Sequence, residues 1–108
     1  MLDVNPLLTA VDRLADRLRS LPESRLRHNA GAAGLELARE LAVRAQRLQA
    51  PGREARVMPE VGLFAVGDQV AVAGHDLAEA LGGVPEPEGA RGLEGALELV
   101  RACAGVVR

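Results

Sequence analysis

The sequence predicts an all-α fold: a small antiparallel bundle of about four helices, forming one domain over residues 1–108. Three observations predict it. Apolar residues recur in four stripes at spacings of three and four, the stripes are narrow and of similar width, and Pro or Gly separates them. One segment leaves a second fold open, an α+β domain with a β-hairpin at 61–73.

The first helix rests on Leu7, Val11, Leu14, Leu18 and Leu21, with Asp12, Arg13, Asp16, Arg17 and Arg19 on the opposite face. Asn5 suits the N-cap and Pro6 the first helical position, where a missing N–H is no loss. Pro22 ends the helix. The second helix spans about residues 23–50 on Leu26, Ala30, Ala33, Leu37, Leu41, Ala45 and Leu48, and Pro51-Gly52 stops it. Its weak point is residues 29–34, Asn-Ala-Gly-Ala-Ala-Gly. Each Gly there costs about 1 kcal/mol relative to Ala. The helix therefore either kinks at this point or lets another backbone approach closely.

Residues 61–73 read two ways. Val-rich runs on either side of Gly67-Asp68 suit a hairpin. Leu63, Val66, Val70, Ala73, Leu77 and Leu81 instead give one helical phase entered through Pro59 and stopped by Gly82-Gly83. The helix is favoured, because that phase runs on into the plainly helical residues 76–81 and a lone hairpin is marginal. Gly67 and Gly74 argue for the hairpin. Residues 84–92, rich in Pro and Glu, read as a linker. Leu93, Leu97, Val100, Ala104 and Val107 form the last stripe.

No stripe is stable alone, so mutual burial must hold the helices together. The core is thin: Ile, Trp and Tyr are absent and Phe64 is the only aromatic residue. A thin core gains from further burial on association, so a homodimer is expected. Lys is absent as well, and all thirteen basic residues are Arg. The joint shortage of residues with AT-rich codons is the mark of a high-GC, bacterial genome rather than of a mechanism.

The net charge of −2 hides an asymmetry. Residues 1–56 hold ten Arg against seven acids, and residues 57–108 hold three Arg against eight. Such a dipole can order two copies head to tail. No stretch approaches the roughly 20 apolar residues that span a bilayer, the N-terminus has no signal-peptide pattern, and the single Cys103 needs no oxidising compartment. A cytoplasmic protein with no membrane contact is expected.

The inventory of reactive groups is short. Thr9, Ser20 and Ser24 sit where hydroxyls cap or turn the chain. Cys103 flanks a helical stripe and reads as a small buried hydrophobe. His75 and Glu79, four residues apart, share one helical face and amount to half a metal site; Asp76 is adjacent. No nucleotide loop or paired-cysteine motif occurs. No catalytic residue and no cofactor are therefore expected, and the chain is read as a non-enzyme.

Function is accordingly expected to be non-catalytic. The leading reading is a helical protein-interaction module, an adaptor or regulatory subunit that self-associates or binds another protein. Its candidate contacts are Arg17, Arg19, Arg25, Arg27, His75 and Asp76. A nucleic-acid-associated regulator gripping phosphates with the Arg17–Arg27 corner is the first alternative, weakened by the acidic balance and the lack of aromatic platforms. A small-molecule or metal-binding bundle centred on His75, Asp76 and Glu79 is the second.

Overall fold

The computed structural model describes residues 2–108, among which there are helices and no strands. Four helices form a bundle. Helix α1 is Asn5–Ser20. Helix α2 covers residues 23–49, passing through a π-helical turn at Leu26–Ala30. Helix α3 is Val66–Gly82, entered through a 3₁₀ turn at Leu63–Ala65, and α4 is Glu88–Val107. The hairpin alternative is thereby excluded: residues 63–73 are helical, and the phase read from Leu63 to Leu81 is the buried face of α3 from Val66 onward, with Leu63 half-buried in the 3₁₀ turn ahead of it.

Several boundaries differ from the sequence reading, each for a local reason. Asn5 does not cap α1; the Asp3 carboxylate, two residues upstream, accepts the Asn5 N–H at 3.0 Å and turns the chain into the helix. Residues 88–92 are the first turns of α4, not linker. Pro85 and Pro87 stand ahead of that first turn, where their missing N–H groups cost nothing, and Glu88 lies at the positive end of the helix dipole. The last stripe is rotated. Ala96, Val100, Cys103 and Val107 are buried, Leu93 and Leu97 are half-buried and Ala104 is exposed. Helix α4 lies over the saddle between α1 and α2, so small side chains fit its centre line and leucines its flanks. Leu48, beyond the last buried turn of α2, is 41% exposed.

The connection between α2 and α3 is long. Residues 50–62 run back along α2, held by side chains of that helix. Gln46 Nε2 donates to the Arg56 carbonyl and its Oε1 accepts the Arg56 N–H, while Arg39 Nε donates to the Met58 carbonyl. Gln69 Nε2 of α3 donates to the Pro59 carbonyl. Gly52 (φ +90°) and Gly62 (φ +114°) stand near the two ends of this return, in backbone conformations that disfavour a Cβ. The return makes α2 and α3 parallel: Gly31 and Gly34 lie beside Leu63 and Val66, and Arg44 and Leu48 beside Leu77 and Leu81. Helix α1 runs antiparallel to α3 and parallel to α4.

The core is the expected one of Leu, Val and Ala, with Leu7, Leu18, Leu41, Leu77 and Leu81 among its fully buried members. Glycine brings the helices together. A Cβ at Gly34 would lie 2.5 Å from Val66 Cγ1, and one at Gly74 would lie 2.5 Å from Val11 Cγ1. At Gly67 it would lie 2.9 Å from the Ala15 carbonyl oxygen. At residues 29–34 the helix is continuous: it leaves the π turn at Ala30, and what approaches closely at Gly34 is the side chains of Val66 and Leu18, not another backbone. The result is flat, with principal extents of 42 × 27 × 16 Å.

Candidate functional site

The four arginines of the first corner do not converge. On α1, Arg17 and Arg19 project from opposite flanks of the buried stripe. Arg19 reaches α3, pairing with Asp68 at 2.8 Å and with Asp16 at 3.0 Å. The Asp68 hydrogen bond, supported by that to Asp16, holds its pKa above the ordinary arginine value. Arg27 pairs with Glu23 one turn earlier on α2, at 3.1 Å. Arg25 is exposed. Two of the four cations are thus committed to carboxylates within the chain.

His75 does not turn toward Glu79. Its Nε2 donates to Asp12 Oδ1 at 2.7 Å, joining α3 to α1. Asp76 and Glu79 are exposed, and neither forms an ion pair among the described residues. Among those residues no group of three or more His, Cys, Asp or Glu is placed to hold a metal ion. No described helix is long and apolar enough to cross a membrane.

The α1/α4 seam holds a feature that the sequence does not reveal. An open groove of about 790 Å³ runs between the two helices. Pro6, Ala10, Leu14, Val100 and Ala104 give it an apolar lining. Arg13 and Arg17 line it from α1, and Arg101 and Arg108 from the C-terminal end of the chain. None of these four guanidinium groups has a carboxylate within 4.0 Å among the described residues. The only carboxylate side chain in the lining is Asp3, whose Oδ1 already accepts the Asn5 N–H. Arg17 was legible as a candidate; Arg13, Arg101 and Arg108 were not, because only the tertiary fold brings α4 alongside α1. The available signal was like charge at helical spacing, four residues apart at Arg13 and Arg17 and seven apart at Arg101 and Arg108.

A second groove, of about 820 Å³, lies between α2 and α4, edged by the exposed Val57 and Val106. Cys103 sits at its floor, 7% exposed. Burial, with the nearby Glu36 carboxylate adding, pushes its thiol up to about 11, so it is protonated and a poor nucleophile at neutral pH. It packs as a small hydrophobe, as its place beside the stripe implied. No protein-family model, curated protein or solved structure matches the chain.

Proposed function

We propose that this protein is a non-catalytic helical interaction module, an adaptor or regulatory subunit that self-associates and takes an acidic amphipathic helix in the α1/α4 groove. One observation carries the reading: Arg13, Arg17, Arg101 and Arg108 line an apolar trough without carboxylate partners among the described residues. Uncompensated cations beside apolar surface match a ligand with the reverse pattern. Guanidinium groups bind carboxylates through paired N–H donors. The trough receives the apolar side of a docked helix while the charged edges select its partner and orientation. A cytoplasmic setting fits this role, since the lone cysteine is buried and unpaired.

The test is a titration of the full chain against a fluorescein-labelled helical peptide of Leu and Glu, followed by anisotropy. Saturable binding is expected, weakened by salt and lost in Arg13→Glu/Arg17→Glu, with a Leu/Arg peptide of the same pattern not binding. Equal binding of both peptides, or of neither, removes the reading. Duplex DNA in the same titration addresses the nucleic-acid alternative, which loses support from the dispersal of Arg17, Arg19, Arg25 and Arg27. No retention on DNA is expected at physiological salt.

A further inference from the structure

Resting on that reading of the groove, we infer that its occupant is the outer face of α3 from a second copy of this chain. Val72, Asp76 and Glu79 are spaced four and three apart, which aligns them on one side of α3. All three are exposed, Val72 by 58%. The other ionisable groups of this helix face, Asp68 and His75, are engaged by Arg19 and Asp12 of the same molecule. Asp76 and Glu79 are left over, as Arg13 and Arg17 are left over on α1.

The two surfaces are complementary in charge and scale. Arg13 and Arg17 stand one turn apart, about 6 Å along the helix, and Asp76 and Glu79 about 4.5 Å. Both ion pairs can therefore form together, with Val72 available to the apolar lining. The groove lies between α1 and α4 and the acidic face points away from the bundle on α3, so one molecule can use both at once. The contact is heterologous. Two copies close into a dimer if each places its α3 face in the other's groove, and otherwise extend head to tail. The chain-wide asymmetry, with the Arg excess in residues 1–56 and the acid excess in residues 57–108, acts in the same sense.

Sedimentation velocity of the full chain from about 1 µM to 1 mM, the range of weak to moderate association, tests this at low and high salt. Wild type is expected to associate, and less so at high salt. Arg13→Glu/Arg17→Glu and Asp76→Arg/Glu79→Arg should each weaken self-association on the order of tenfold or more. Mixed in equal amounts, the two variants should associate again, because each reversed surface meets its complement. Arg13→Gln/Arg17→Gln, read with its melting curve, separates loss of contact from loss of fold. A wild type that stays monomeric throughout, an oligomer indifferent to both reversals, or a mixture that remains monomeric overturns the inference. If wild type is monomeric yet binds the Leu/Glu peptide, only the occupant is wrong; if the peptide fails as well, so does the reading of the groove.

Discussion

The two flanks of α1 carry the same kinds of residue and differ in what faces them. Toward α3, Asp12 meets His75 and Arg19 meets Asp68, and Gly67 and Gly74 let the two helices close on Ala15 and Val11. Toward α4, Arg13 and Arg17 meet no carboxylate among the described residues, and an open groove remains. The decisive difference lies in the neighbouring helix. Helix α3 offers glycine at the contact points and opposite charge at the edges, whereas α4 and the residue that follows it offer Arg101 and Arg108, like charge against like. A close seam between α1 and α4 would bring four guanidinium groups together without compensation, at a cost in desolvation and repulsion. The α3 flank is built for cohesion, and the α4 flank is the one we propose as the docking site for an acidic helix.

The strongest way to break this comparison is to fill the close seam. Gly74→Ala places a Cβ 2.5 Å from Val11 Cγ1. Val11 is fully buried and β-branched, so it has little room to yield. The variant should lose about 1–3 kcal/mol by overpacking, outweighing the roughly 1 kcal/mol that Ala gains over Gly in a helix. Gly105→Ala, with nothing within 4 Å, should instead gain about 0.5–1 kcal/mol. Urea midpoints that move the same way for both would remove glycine contact as the cause of the close packing.

A second prediction concerns Cys103, whose burial favours the neutral thiol. Its folded-state value of about 11 lies above the ordinary 9.0, so the unfolded chain releases this proton first. The corresponding stability is present in full below pH 9 and is lost as pH rises toward 11. Cys103→Ala should flatten that part of a stability–pH curve. The native thiol should resist an aromatic disulfide reagent near neutral pH and react once the chain is unfolded. Rapid labelling of the folded protein would contradict its place in the core. The smallest effect is expected at the exposed edge of the seam, where His75→Ala should cost less than about 1 kcal/mol.

Much of the fold was legible because each stripe is a local pattern. Leu7, Val11, Leu14 and Leu18 are the buried line of α1, and the phase from Val66 to Leu81 identifies α3 against the competing hairpin. What escaped depends on partners distant in sequence. Gly67 and Gly74, which weigh against a helix when propensity is considered alone, are the points where α1 approaches α3; their value exists only in the assembled bundle. The return of residues 50–62 depends on Gln46 and Arg39, whose spacing carries no sign of the backbone groups they hold. The rotation of α4 follows from its position over two helices at once, which one helix's periodicity does not record. The candidate site was legible only at Arg17, since its other cations come from Arg13 on α1 and from Arg101 and Arg108 at the far end of the chain.

Charge reversal on each flank of α1, with melting temperature and association state read on the same samples, tests the central claim most directly. Arg13→Glu/Arg17→Glu should leave stability within about 0.5 kcal/mol and weaken association, whereas Asp12→Arg/Arg19→Glu should lower the melting temperature and leave association intact. Association that survives reversal at Arg13 and Arg17, or is lost only through reversal at Asp12 and Arg19, would contradict the account.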